Sequence, residues 1–148
     1  MSSSHILQAA HQLCRQRGVR LTPLRQQVFE LILQQQKPIG AYSLLEQLAS
    51  AQGRHAAPPT VYRALNFLLE QGLIHKITSL NAFTACFQPS APHIGQFLIC
   101  DYCGDIAEFD APQVNASLHQ QAQQFGFRIE KQIIEITGCC AECQQGCS

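Results

Sequence analysis

Seven of the eight cysteines in this 148-residue chain fall after residue 80, and four of them form two pairs of one spacing. Cys100-x-x-Cys103 and Cys140-x-x-Cys143 are separated by 36 residues. A Cys-x-x-Cys turn followed by glycine, here Gly104, presents two sulfurs from one loop and lets backbone N–H groups approach them. Two such turns supply a four-thiolate tetrahedral set, the closed kind of zinc site that stabilises a small fold. Disulfides explain the pattern poorly. The opening MSSSHILQAAHQL has neither the basic start nor the apolar run of a secretory signal, so the chain is expected in the cytoplasm, where thiols stay reduced. Cys139 and Cys147 stand beside the second pair, and by spacing either could replace a neighbour; the matching gap favours Cys140 and Cys143. Cys14 lies on an apolar helical stripe and reads as core.

If those thiols fill one site, two donors flanking the first knuckle remain, His93 and Glu108, with two more upstream, His75 and Cys86. One histidine and one thiolate from the first half, with one histidine and one carboxylate from the second, would make a four-coordinate site across the junction. Spacing alone does not demand it, because lone histidines and a strand glutamate are ordinarily surface or core groups. His5, His11, His55 and His119 have no partner pattern and read as surface residues.

The elements that must carry these donors change character along the chain. His5 to Arg17 has helical apolar spacing closed by Gly18. Thr22 caps a second helix with Pro23 in its first turn. After a break at Lys37–Gly40, a third helix runs over Ala41 to Ala51. Pro58-Pro59 reads as a stop, and a fourth helix runs from Thr60 to Gln71, closed by Gly72. The period then shifts to that of strands over Leu73 to Ile77 and Ala82 to Phe87, the pattern of a hairpin. Helices followed by a hairpin predict a winged helix-turn-helix over residues 1–87. Residues 88–92 have the composition of a hinge. Residues 93–148 predict a small α+β unit, with strands near Gln96–Ile99 and Ile106–Phe109, a helix near Pro112–Phe125 and a strand from Phe127 to Thr137. A unit of that size needs a staple or a partner to hold it.

Zero net charge conceals an asymmetry. Residues 1–80 carry eight basic side chains against three carboxylates, and the remainder two against seven. A basic half that is nearly free of cysteine suits a polyanion; an acidic, thiol-rich half suits a cation. In a helix-turn-helix the second helix of the motif enters the major groove. Its outward residues here are Thr60, Tyr62, Arg63 and Asn66, with Arg63 able to pair bidentately with guanine. Arg20, Arg25 and Lys76 are expected phosphate contacts. The reading is therefore a module that binds double-stranded DNA, with no small organic substrate. No stretch approaches the ~18 apolar residues of a membrane helix, and no membrane partner is expected.

The segments Arg20-Leu21-Thr22-Pro23-Leu24-Arg25, Pro59-Thr60-Val61-Tyr62-Arg63-Ala64-Leu65 and Gly72-Leu73-Ile74-His75-Lys76, with the Cys100 knuckle and the Cys140 pair, resemble the ferric uptake regulator superfamily, most of all its zinc uptake regulator branch. The resemblance spans nearly the whole chain. It implies a homodimeric, metal-loaded repressor, with a C-terminal dimerisation domain and a palindromic operator controlling zinc-uptake genes. It implies two zinc ions per chain: a structural one on Cys100, Cys103, Cys140 and Cys143, and a sensory one on His75, Cys86, His93 and Glu108. It also places base contacts on Arg63 and Tyr42. Iron-, manganese- or peroxide-responsive regulation is the alternative within the superfamily, but a thiolate such as Cys86 biases a tetrahedral site toward zinc. The pattern departs at Ala49, where a basic partner for an acidic residue such as Glu46 would join neighbouring dimers.

No enzyme is expected, since four protein ligands leave a metal no open position. Thioredoxin-like chemistry needs a Cys-x-x-Cys that opens a helix, whereas Cys100 and Cys103 fall between strands. A thiol redox response at the four-cysteine set stays open as a secondary role.

Overall fold

Thr22 begins the element on which the first unit is built. Its side chain accepts a hydrogen bond from the Arg25 N–H at 3.4 Å, and Pro23, which has no N–H to leave unpaired, takes the first turn of the helix Pro23–Gln34. In the computed structural model, which describes residues 3–52, 57–86, 89 and 95–146, this helix (α2) follows α1, Ser3–Gln16, and precedes α3, Ala41–Gln52, and α4, Pro58–Glu70. Val28, Phe29 and Ile32 of α2 are buried against Ala10 and Cys14 of α1, Leu44 and Leu48 of α3, and Val61, Leu65 and Leu68 of α4. These residues recur at three- and four-residue steps, so each helix turns one stripe to a common core.

The wing is a three-stranded antiparallel sheet, not the two-stranded hairpin that the sequence suggests. Strands β2 (Ile74–Ile77) and β3 (Ala82–Ala85) pair with His75 opposite Thr84, while Ile39–Gly40, expected to be a break, forms β1 on the other edge of β3. A tight turn over Thr78–Leu80 joins β2 to β3 and ends at Asn81, whose φ of +48° is a left-handed conformation that asparagine tolerates. Pro58-Pro59 is the start of α4 and not a stop before it, because the first helical positions need no donor. His11, expected at the surface, is half-buried, and its Nε2 meets Gln26 Oε1 at 2.7 Å, linking α1 to α2.

Residues from His93 onward form the second compact unit, divided from the first at Pro92. Its sheet runs β5-β4-β6, with β4 (Gln96–Cys100) antiparallel to β5 (Ile106–Phe109) and parallel to β6 (Ile134–Gly138). A parallel pair needs a long crossover, and helix α5 (Pro112–Gln124) lies within it. The last strand is far shorter than the expected Phe127–Thr137: β4 offers five residues, and Gln96 to Cys100 are matched one for one by Ile134 to Gly138. A short helix, α6 (Ala141–Gly146), follows. Asn115 of α5 accepts from the side-chain amides of Gln96 and Gln132, fastening the crossover to the buried end of β4.

The first unit buries an extensive core, whereas among the described residues the second buries only Gln96, Phe97, Ile99 and Cys100 of β4. Helix α5 contains no buried residue, and Phe125 and Phe127 are 84% and 66% exposed. Stability of the first unit therefore rests on side chains such as Leu65. Leu65→Ala is expected to cost about 2–5 kcal/mol and to lower the urea midpoint of the winged-helix unit, read by a fluorophore placed in that unit.

Candidate metal centre and nucleic-acid interface

Register brings the two cysteine pairs together. Cys100 closes β4 and lies in parallel register with Gly138 of β6, so Cys139 and Cys140 leave the sheet beside it. The knuckle is fixed by main-chain bonds: Cys100 N–H to Asp105 O at 2.9 Å, Gly104 N–H to Cys100 O at 3.0 Å, and Asp101 N–H to Gly138 O at 2.8 Å. Gly104 has φ +79°, a conformation that a residue with a Cβ resists. Cys143 follows in the first turn of α6, where the Gln144 N–H reaches back to Cys140 O at 2.9 Å.

The sulfurs of Cys100, Cys103, Cys140 and Cys143 all lie within 4.8 Å of one another. Cys103 Sγ and Cys140 Sγ are 3.7 Å apart. Metal–sulfur bonds of about 2.3 Å in a tetrahedron put neighbouring sulfurs about 3.8 Å apart, whereas a disulfide needs about 2.05 Å. None of the seven described cysteines is in a disulfide. The donor set therefore fits a four-coordinate thiophilic ion. Cys139 is not one of the four; its Sγ is 3.7 Å from the Cys140 carbonyl oxygen. Cys147 lies outside the described residues.

The surroundings already favour one anion. The backbone N–H of Cys140, at 3.4 Å from Cys100 Sγ, and then those of Cys103 and Tyr102 lower the Cys100 pKa to about 6. The backbone at Asp105 pulls Cys103 down, but burial and the thiols of Cys100 and Cys140 outweigh it and leave that group raised. Cys143 is pushed up, chiefly by its hydrogen bond with Cys140 and by burial. One thiolate is thus stabilised by dipoles, while Cys103 and Cys143 need a cation beside them.

Within the first unit a second set of donors is half assembled. His75 on β2 and Cys86 just beyond β3 have ligand atoms within 4.8 Å of each other. Cys86 is 1% exposed, and its N–H donates to Leu73 O at 2.9 Å, which extends the wing ladder to the thiol. Glu108 is exposed on β5 of the second unit, opposite Phe97. His93 lies outside the described residues.

The outer face of α4 carries the expected polar set. Tyr62 is 50% exposed, Arg63 and Asn66 are exposed, and Thr60 is half-buried in the first turn. Tyr42 is 74% exposed in the first turn of α3, Arg20 is exposed between α1 and α2, and Lys76 is exposed on the wing. Arg25 differs. Its guanidinium lies 3.8 Å from the centroid of Phe67, and its Nη1 donates to Arg20 O at 2.7 Å. A side chain expected to contact phosphate thus also joins the Arg20 turn to α4 while remaining half-exposed. That pairing spans more than 40 residues of sequence, and no local pattern announces it.

The model of the ferric uptake regulator family matches residues 16–137. The chain belongs to the ferric uptake regulator family. It is 43% identical over 143 residues to the zinc uptake regulation protein of Escherichia coli strain K12, covering 96% of this chain and 83% of that protein. A solved zinc uptake regulator complexed with zinc and DNA superposes with TM-score 0.93 at 41% identity, covering 99% of this chain and 97% of that one. A structure described as holo XcZur superposes with TM-score 0.88 at 43% identity, covering 97% and 99%. Membership in a family of regulators places the chain outside the enzymes.

Cobalt(II) gives the direct test of the sulfur set. Cys140→Ser is expected to abolish the thiolate-to-cobalt charge-transfer band of the second unit, whereas Cys139→Ser retains it. Because Cys103 and Cys143 are held protonated in the ion-free chain, loading must displace protons and the apparent affinity must rise with pH. A pH titration of the band measures this directly; an affinity that is flat from pH 6 to 8 contradicts it.

Proposed function

We propose that this family member is a zinc-responsive transcriptional repressor, which binds palindromic operator DNA as a homodimer and controls zinc-uptake genes from the cytoplasm. The observation that carries the reading is a thiol, Cys86, beside His75 at the base of a DNA-reading wing. A sensor of imidazole and carboxylate alone suits iron or manganese, and the added sulfur shifts preference to zinc. Two ions per chain follow from two donor sets: a structural zinc on Cys100, Cys103, Cys140 and Cys143, and a sensory zinc on His75, Cys86, His93 and Glu108.

When bound, zinc supplies a divalent centre that holds four donors at one point. His75 and Cys86 come from the winged-helix unit and His93 and Glu108 from the other, so all four meet only in one arrangement of the units. Donors that bind in that arrangement and not in others shift the population toward it, and DNA that selects the same arrangement strengthens metal binding by the same factor. Cys86 and the histidines must shed protons to act as ligands, so sensory affinity weakens in acid.

The exposed apolar residues of α5 and its flanks, Val114, Leu118, Phe125 and Phe127, support the homodimer. Two copies place two α4 helices on half-sites about one turn of DNA apart. Arg63, Tyr42, Tyr62, Thr60 and Asn66 would read bases or fix register, and Arg20 and Lys76 would hold phosphates. Arg25 contributes by holding the Arg20 turn in place.

Two measurements separate these roles. Arg63→Ala is expected to weaken operator binding by about 1–3 kcal/mol and relax preference at one base pair, whereas Lys76→Ala reduces the salt slope by about one with sequence preference intact. Cys86→Ser is expected to keep the structural zinc and lose zinc-dependent operator binding; full zinc-dependent binding by that variant defeats the sensory assignment.

A further inference from the structure

The side chain of Gln26 on α2 is held at both ends. Its Nε2 donates to Glu30 Oε1 at 2.7 Å, leaving its Oε1 to accept from His11 Nε2 on α1, also at 2.7 Å. These bonds set the spacing of α1 and α2 beside a cleft of about 480 Å³, lined in part by His11, Arg15, Arg20, Pro23 and Gln26. Arg15 and Arg20 are exposed, and among the described residues no carboxylate pairs with either. Glu30, the carboxylate in this chain of bonds, does not line the cleft. Two guanidinium groups thus share one concave surface without a counter-charge.

The cleft continues the surface assigned to DNA. Phe67 lies one helical turn beyond Arg63 on α4. Arg25 stacks on Phe67 at 3.8 Å, and its Nη1 donates to the Arg20 carbonyl oxygen at 2.7 Å. Arg20 is therefore fastened beside the Arg63 face of α4, with Arg15 of α1 in the same cleft. We propose that the Arg15–Arg20 cleft seats one backbone phosphate of the DNA duplex in each protomer, beyond those reached from α4 and the wing. Arg20 alone would touch that phosphate from one side; Arg15 closes on it from α1, and the His11–Gln26–Glu30 strut sets the spacing. The proposal rests on α4 being the helix that enters the major groove.

The chemistry suits a phosphodiester. Its two free oxygens share one negative charge, and planar guanidinium forks offer them paired N–H donors. Pro23 opens α2 and lines the cleft, so the positive end of that helix's dipole lies there too. Arg15 also stands in the last turn of α1, where the negative end of that helix favours a cation. That second effect contributes to folding and is independent of DNA. Salt separates the two roles, because a phosphate contact releases counterions condensed on the duplex and a helix-dipole contact releases none.

The test uses the full-length zinc-loaded dimer and a labelled duplex that it selects from random-sequence DNA. Arg15→Ala is expected to keep base preference and to lower the salt slope by about 0.9 for each protomer, which is a roughly three- to fourfold smaller loss of affinity per contact between about 50 and 200 mM salt. Arg15→Gln, which keeps most of the side-chain length, should give the same result, and Arg15→Lys should keep the parent slope. Replacing single phosphates of the duplex by neutral methylphosphonates locates the contact. At one position in each half-site the replacement should weaken the parent and leave Arg15→Ala unaffected, and His11→Ala should lessen the penalty at that same position. An unchanged salt slope in folded Arg15→Ala or Arg15→Gln overturns the proposal. Methylphosphonate penalties that match the parent's at every position overturn it too. Failure of the underlying reading looks different: Arg63→Ala would then leave base preference unchanged, whatever Arg15 does.

Discussion

Four sulfurs drawn within 4.8 Å of one another are the constraint on which the second unit depends. That unit has a three-stranded sheet, a helix with no buried residue and two phenylalanines largely in water. Its apolar burial within one chain is too small to stabilise it comfortably. Parallel pairing of β4 with β6 sets the ends of both strands side by side, and the cysteine turns that follow complete the donor set. A cation there ties the first strand of the unit to its last, so metal binding and folding become one equilibrium. The apolar surface left over is what a second copy would cover.

The first unit solves the opposite problem. It buries a full core among four helices and a wing, and can therefore leave a polar face on α4 and a half-assembled His75–Cys86 pair without losing its shape. A rigid scaffold carrying an incomplete donor set is what sensing requires, because a complete set would bind metal in every arrangement and report nothing. Placing Cys86 by a ladder bond to Leu73 would build the proposed sensor into the same sheet that flanks α4, the proposed reading helix. The Arg25–Phe67 stack fastens the other side of that helix.

Much of this was legible in the sequence where the signal is local. Thr22-Pro23, Gly72 and the Cys100 knuckle each act through bonds within a few residues, and the two cysteine pairs announce themselves by spacing. What failed were features decided by a distant partner. Ile39–Gly40 becomes a strand only because β3 lies beside it, and Phe127 to Ile133 stay out of the sheet because β4 has no residues left to pair. Arg25 shows the same limit: nothing local announced its stack on Phe67 of α4. Donor chemistry could suggest His75, Cys86, His93 and Glu108 as a set, but no spacing rule links them, and their proposed sensory role came through family resemblance.

In the proposed mechanism one metal holds the second unit together while another controls DNA binding. Metal counting during graded chelation, coupled to an operator-binding titration on the same samples, tests it most directly. Two zinc ions per chain are expected to fall to one, with operator binding lost at that first step while the dimer remains folded. Loss of both ions together, or operator binding that survives removal of the first, would contradict it.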